Sequence, residues 1–569
     1  MENSVFINKL MKAGIVFCVL ISISYCLWML DRGFEITDEA YYLLLSIHPQ
    51  AVTFFISAAQ WFTSTLWQIT GSLYGFRAIG MGLLLFSSLL LANGTVTACI
   101  RCNLMAAIHF SERMTIIAST FVAALFYATI LNFSPSYNLL ATAGAYAAAG
   151  LVLFTANNSD CWRNTLLCFL AGGALSIELI CKGPAGIDTL CVVLIVAAVL
   201  SCTRRDKIMN MAMIIVGLCA FTLAIILMKT TIAESINTFN HSLALFKLVQ
   251  TETVSARLLR YYQEILHVLS VAAITFAIPF IAFLLYAFTR YAVFIFIGLV
   301  VLGYILISGH YLQGGFDRYP TEAISLFVIL TLGFIASFPV WIKNWNIIVL
   351  LGSLFILPYS VAVGTSNPLS MQILFSLASW GTLIAVLAFA DIPKEHSKIP
   401  AALIALVFVS SMSFQLISSM RDPYHLGKPL TQQSYPVSVG NLGVIKMDAQ
   451  TQLFVSDITQ AAQKCHILPG RPFLGLYNDL GVALILQTIP PSTPWLNNQA
   501  QANMMMAFMS PDTLHSAVIA LELNPDGSRP LLPTQLSAFP GGYKLCGTAT
   551  YPYQKQEVQI WVARWKLPR

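Results

Sequence analysis

About 13 apolar runs of roughly 17 to 24 residues recur along the chain, and a run of that length matches a hydrocarbon core about 30 Å thick. They cover 12–30, 76–98, 114–131, 138–156, 164–181, 184–201, 208–228, 265–288, 291–308, 321–338, 347–363, 372–390 and 400–418. Composition agrees: 57% of the 569 residues are hydrophobic and 10% are charged, where a soluble globular chain carries about a quarter charged residues. An ordinary soluble enzyme, a disordered scaffold and a nucleic-acid binder are thereby excluded. The net charge of +6 comes from 31 basic and 25 acidic residues, an excess that suits the cytoplasmic loops of a multi-span protein and implies no polyanionic partner. Its surroundings are membrane lipids.

The first run follows Lys9 and Lys12 and shows no small-residue cleavage pattern, so it predicts a retained signal-anchor helix with a cytoplasmic N-terminus. Alternation then places Arg101, Arg113, Arg163, Arg204, Arg205, Lys207, Arg290, Lys343, Lys394 and Lys398 in cytoplasmic junctions, the expected positive-inside bias. The opposite face receives 31–75, 229–264, 309–320, 364–371 and everything after 418. These assignments predict an integral membrane protein, of the inner membrane if the source is bacterial, with a periplasmic C-terminal part.

Hydropathy falls after Ser418, and a linker with Pro423, Gly427, Pro429 and Pro436 opens a polar tail of about 150 residues, the size of a single domain. Apolar runs at 473–477 and 482–487, a strand-like 516–523 and a terminal 556–564 alternate with helical stretches near 457–467 and 499–509. The division is therefore a transmembrane domain, 1–418, and a soluble extracytoplasmic α/β domain, 419–569. No repeat and no low-complexity tract interrupts it. Ten of the 12 cysteines sit in or beside the apolar runs, where a thiol behaves as a small hydrophobe. Cys465 and Cys546 alone belong to the tail, and an oxidising compartment would pair them. Cys99 and Cys102 lack a second pair or a His cluster and read as buried thiols. No Walker A loop, His-Glu-x-x-His or Gly-x-Ser-x-Gly is present, which removes ATP hydrolysis, zinc proteolysis and Ser-esterase chemistry.

Thr37-Asp38-Glu39-Ala40-Tyr41-Tyr42 follows the first run by a few residues, with His48-Pro49 beyond it. Carboxylates contribute little to orientation in the membrane, so adjacent Asp38 and Glu39 mark polar chemistry at the surface. The competing reading is a helix start, with Thr37 or Asp38 as N-cap. Segment 229–264 lacks Gly and Pro and mixes Phe239, Leu243 and Phe246 with Lys247, Arg257 and Arg260, a pattern for either an interfacial helical lid or a structural loop.

Ile36 to Tyr42, His48-Pro49 and Gly75-Phe76-Arg77 together resemble the first exported loop of GT-C glycosyltransferases, of the protein O-mannosyltransferase and lipid A aminoarabinose transferase type. Cys181-Lys182-Gly183-Pro184-Ala185-Gly186 resembles that family's Thr-Lys-Gly-Pro-x-Gly signature, Arg318-Tyr319-Pro320 its Arg-Tyr-x-x-Pro loop, and Gly364-Thr365-Ser366-Asn367-Pro368 its Gly-Thr-x-Asn segment. The likeness follows the membrane part in order. Gln50 stands where the family has a second Pro after His-Pro, which weakens any role for His48, and the tail matches no motif.

The resemblance implies a GT-C fold and transfer of a hexosyl or pentosyl unit, with inversion, from a polyprenyl-phosphate donor to an acceptor hydroxyl of a cell-envelope glycan, lipid or protein. A hydroxyl needs a base near neutral pH, which contributes roughly 10²–10⁴ in rate, and Asp38 is the candidate. Glu39, about 100° round a helix, would orient a sugar hydroxyl or act as a like charge on Asp38. Lys182 and Arg318 are the candidate cations for the leaving phosphate. Tyr41, Tyr42, His48, Arg77 and Tyr319 are candidate substrate contacts. The structural readings are an ion pair between Lys182 and Glu178, a pair between Arg318 and Asp317 or snorkelling, and an outer-end anchor for Arg77. Two cations for the phosphate favour chemistry without a cofactor, although an Asp-Glu pair near a His can hold a divalent metal. A transporter or flippase of lipid-linked sugars is the alternative class. It is disfavoured because the special residues gather at one surface rather than at the midplane.

Overall fold

The computed structural model describes residues 2–55, 57–106, 108–248, 252–337, 344–391, 398–477, 479–553 and 555–564. Lys343, Lys394 and residue 338, which closes one predicted span, lie outside them.

All of the apolar runs fold as helices, so the chain is a polytopic helical membrane protein with a small α/β tail. Among the described residues eight helices are long and apolar enough to cross a membrane singly. Two further runs are bent pairs, Val254–Thr275 with Ala277–Thr289 at 74° and Leu369–Ser376 with Ala378–Phe389 at 65°, which raises the number to ten if each pair is one span. Phe110–Leu125, Tyr137–Leu153 and Ala292–Ser308 hold 16 or 17 residues. At 1.5 Å per residue they reach about 25 Å, at the lower limit for a membrane crossing. Among the described residues eight to ten of the 13 expected spans thus pass by length and composition, and the other three are these shorter helices. Small residues let neighbouring helices approach: a Cβ on Gly94 would lie 2.2 Å from the Gly150 carbonyl oxygen.

The two ends of the bundle differ. One carries the ion pairs Lys12–Glu112 at 3.4 Å and Lys398–Asp391 at 3.3 Å. The other is covered by a polar layer built from the first long loop, the tail and the loops near 314 and 365.

The tail contains a hairpin of β1 (Tyr435–Ser438) and β2 (Val444–Met447), and a four-stranded sheet of β3 (Phe473–Leu476), β4 (Val518–Glu522), β5 (Tyr543–Thr550) and β6 (Glu557–Ala563). The order is β3-β4-β6-β5, with β3 and β4 parallel and the other pairs antiparallel. Cys465, which ends the helix Ala449–Lys464, is bonded to Cys546 on β5, their Cα atoms 5.6 Å apart.

The tail's core is not its own. Phe34, Ile36, Leu43, Trp67 and Phe76 share one hydrophobic cluster with Val439, Ile445, Phe454, Leu480 and Val482. Backbone bonds add to it: Gly33 donates to Lys446 and Lys446 to Asp31, both at 2.8 Å, and Gly481 donates to Ile36 at 3.0 Å. The composition break at 418 thus separates lipid-facing from polar sequence, while the polar layer draws on both sides of it.

Segment 229–264 is helical, as Ile232–Lys247 and the first part of Val254–Thr275. The first helix is wedged against the polar layer: Ser242 accepts from the Phe55 amide at 3.0 Å, and Leu245 lies in a core with Phe54, Met505 and Trp561. On the second, Glu264 accepts from the amides of Leu369 and Ser370 at 2.6 and 3.3 Å, and the Tyr261 hydroxyl donates to the Thr365 carbonyl at 3.0 Å. This pins the Gly364–Pro368 turn.

Candidate active site

The helix Asp38–Ile47 begins without a cap from the Thr37 side chain. Glu35 serves instead: its carboxylate accepts from the Thr37 amide at 2.7 Å and the Glu39 amide at 2.6 Å, and the Thr37 hydroxyl also donates to it. Acidic residues in the first turn suit the positive end of the helix dipole. Glu35 is 2% exposed. Burial and the neighbouring Asp38 carboxylate both push its pKa above the usual carboxylate range.

The two adjacent carboxylates diverge, as successive positions on a helix must. Glu39 is locked to Arg77 by two bonds, Nε to Oε1 at 2.7 Å and Nη2 to Oε2 at 2.5 Å. Ser134 and Asn132 donate to the same carboxylate at 2.5 and 3.3 Å. Arg77 gives its remaining N–H groups to the carbonyls of Leu30, Arg32 and Gly33 at 3.0, 3.0 and 2.7 Å. All five guanidinium donors are used, and both side chains are buried. Arg77 therefore has no N–H left for a substrate, and Glu39 is turned inward from the position expected of a catalytic group. Together they clamp the first loop.

Asp38 faces the other way and is half-buried. The Tyr424 hydroxyl donates to its Oδ2. Tyr41 and Tyr42, three and four residues on, share its face. The Tyr41 ring packs 5.3 Å from Trp495 of the tail, and Tyr42 packs edge-on to Tyr137 at 5.9 Å. Burial raises the pKa of Asp38, and the Tyr424 bond opposes the rise. A neighbouring cavity is lined by Glu35, Glu39, Tyr42, Ser134, Ser136 and Tyr424 among others, with no Lys or Arg in its wall, and Asp38 reaches it only through Tyr424.

The connector that holds Tyr424 also meets the loop carrying Arg318. The Phe316 amide donates to the Asp422 carbonyl at 3.1 Å, and the Asp317 amide to the Asp422 carboxylate at 3.0 Å. Arg318 and Asp317 are exposed and not ion-paired with each other, and among the described residues the Arg318 guanidinium has no hydrogen-bond partner. Tyr319 follows at the start of a span, half-buried.

Lys182 is placed differently. Its ammonium is buried and donates to the Val361 carbonyl at 2.8 Å and to Gln372 at 2.9 Å. Glu178, its expected partner, instead accepts from Thr189 at 2.8 Å. Lys182 and Arg318 share no partner among the described residues, and the Lys182 ammonium is directed at Val361 and Gln372. His48 ends the helix that Asp38 begins, about 15 Å away along its axis, and joins none of these groups.

Glu35, Tyr424 and His425 were not legible as site residues. His425 Nδ1 lies 3.0 Å from the Thr37 hydroxyl, and its ring stacks on Tyr424 with centroids 3.8 Å apart. Asp422-Pro423-Tyr424-His425 reads as turn chemistry in a Pro-rich linker, and its one available signal was an aromatic-His pair amid turn residues. Among the described residues no three His, Cys, Asp or Glu side chains gather as a metal-ligand set.

No family model and no curated protein sequence matches the chain. Among solved structures it is similar to the oligosaccharyltransferase of Archaeoglobus fulgidus, crystallised with zinc and sulfate, at 12% identity and a TM-score of 0.48, over 95% of this chain and 79% of that one. It is also similar to apo ArnT from Cupriavidus metallidurans, at 14% identity and a TM-score of 0.43, over 97% and 99%. These values are too low to carry an activity across.

Proposed function

We propose that the chain is an integral-membrane inverting glycosyltransferase that moves a sugar from a polyprenyl-phosphate donor to an acceptor hydroxyl on the extracytoplasmic face. The observation that carries this is Asp38: a half-buried carboxylate held by Tyr424 with no cation paired to it among the described residues, and with Arg318, unpartnered among them, on a loop anchored to the same connector. The four motifs found in order along the sequence support the same reading.

Asp38 is the base that takes the acceptor's proton as the hydroxyl attacks the anomeric carbon. Arg318 offers a fork for two oxygens of the departing phosphate, where preorganised positive charge is worth roughly 3 kcal/mol. Lys182 acts at one remove, holding Gln372 and the turn that Glu264 and Tyr261 also grip. Tyr41, Tyr42 and Trp495 form an aromatic wall for the substrate. Glu39 and Arg77 keep the loop in shape. Charge on the phosphate is met by Arg318, so no divalent cation is required in this reading, and the acceptor is a hydroxyl of an envelope glycan, lipid or protein.

The test supplies the purified full-length protein, in lipid nanodiscs, with radiolabelled polyprenyl-phosphate hexoses and pentoses, with and without a chelator. Release of lipid phosphate that survives chelation supports the reading. Movement of labelled lipid across a sealed bilayer, with no release from any donor, would establish the transporter instead.

A further inference from the structure

Tyr424 and His425 belong to the connector between the last span and the tail, and their surroundings are more ordered than a linker requires. The Tyr424 ring lies flat on His425, 22° between planes, and edge-on to Phe316 at 4.6 Å. His425 is fastened to Thr37. Thr37 Oγ1 thus sits between the Glu35 carboxyl and His425 Nδ1 and links the two. Burial lowers the pKa of His425 to about 4, so this ring is neutral near pH 7. On the far side, Gly315 sits at φ +137°, and a Cβ there would lie 2.7 Å from the Cβ of Asp422. The 314–318 loop is thus seated on the connector with no room to spare.

We propose that Tyr424 is a positioning residue for the transfer reaction, holding Asp38 Oδ2 so that Oδ1 alone faces the acceptor, and tying that alignment to the seating of the Arg318 loop. The inference rests on the reading of Asp38 as general base. In the step itself the acceptor O–H proton passes to Oδ1 while its oxygen bonds to the anomeric carbon. The bond from that carbon to the phosphate oxygen breaks, and its electron pair leaves with the lipid phosphate. Tyr424 keeps its own proton throughout, because burial and the facing carboxylates of Asp38 and Glu35 push its hydroxyl far above the usual tyrosine range.

The groups that face Asp38 are Glu35 on its own loop, Tyr41 and Tyr42 on its helix, Tyr127 and Tyr137 from the neighbouring segments, and Tyr424 on the connector. Behind Tyr424 stand His425 and Asp317. None of these is a cation at neutral pH, and among the described residues Tyr424 is the one side-chain donor to the Asp38 carboxylate. Its O–H is therefore what favours the charged, basic form.

Tyr424→Phe keeps the ring against His425 and Phe316 and removes only the donor. A hydrogen bond to a charged group converts to a shift of roughly one to two pH units. In lipid-phosphate release by the full-length protein in nanodiscs, the acid limb of the rate profile should move up by that amount, with donor KM within about twofold. A limb that stays in place overturns the proposal, because a packing role alone would leave it unmoved. A second measurement needs no turnover: the infrared carbonyl band of protonated Asp38, identified by its loss in Asp38→Asn, should titrate one to two units higher in Tyr424→Phe. An equal midpoint overturns the proposal. Absence of lipid-phosphate release in the wild type would instead defeat the transferase reading, and the infrared titration would then decide the Tyr424–Asp38 link by itself.

Discussion

Arg77→Met removes the clamp on the first loop without emptying its space. The side chain donates five bonds, two to Glu39 and three to the carbonyls of Leu30, Arg32 and Gly33. Methionine donates none. Glu39, 5% exposed at its side chain, keeps only Ser134 and Asn132, and its charge stands uncompensated. Breaking a buried pair from one side costs about 3–5 kcal/mol. Arg77→Lys should fall between, since an ammonium has three donors and no planar fork. The assay is equilibrium unfolding of the full-length protein in mixed micelles, followed by tryptophan fluorescence and run as a cycle with Glu39→Gln. A coupling energy above about 2 kcal/mol is expected for groups in direct contact. A loss below about 1 kcal/mol for Arg77→Met, or singles that add within about 0.5 kcal/mol, would show that the loop is held by its hydrophobic face and not by the clamp.

Asp38→Asn preserves shape and the Tyr424 contact and should lower lipid-phosphate release by roughly 10² or more with an unchanged unfolding midpoint; normal turnover would leave Asp38 as a helix-start residue. Arg318→Ala should weaken donor use, and Arg318→Lys should restore it only in part because a point charge does not reproduce a fork; unaltered donor kinetics in both would remove Arg318 from the phosphate. Cys465→Ser opens a bond spanning 81 residues, for which chain entropy gives about 4 kcal/mol, read as reductant-insensitive unfolding of a less stable tail. Gly481→Val sets a Cβ 2.5 Å from that of Ile36 and should cost about 1–3 kcal/mol by overpacking, with faster limited proteolysis of the tail as the readout.

What the sequence discloses follows the range of the forces involved. Apolar run length is local, so the helices were readable, whereas the two bends, at Phe276 and Leu377, fall inside runs that read as unbroken. Cys465 and Cys546 could be paired because the tail holds no third cysteine. The divergence of Asp38 and Glu39 followed from helical geometry. By contrast, the partner of Glu39 lies 38 residues away at Arg77 and that of Asp38 lies 386 residues away at Tyr424, separations over which no periodicity speaks. Lys182 illustrates a different failure. A matching motif singled out this lysine, but burial against Val361 and Gln372 directs its ammonium at the protein. His48 was read as near the carboxylates because it is near in sequence, and a straight ten-residue helix carries it to the other end.

The core shared by residues 34–76 and the tail has a consequence for biogenesis. A ribosome adds about 5–20 residues per second, so Asp38 leaves it roughly 20–80 s before Tyr424 exists. Throughout that interval Phe34, Ile36, Leu43 and Trp67 lack the tail's half of their core, and the Asp31–Gly33 backbone waits for the strand that holds Lys446. The first loop is thus made long before the segments that complete its core, and its packing is among the last events of folding. Chains that terminate before the tail would leave this half of the core exposed.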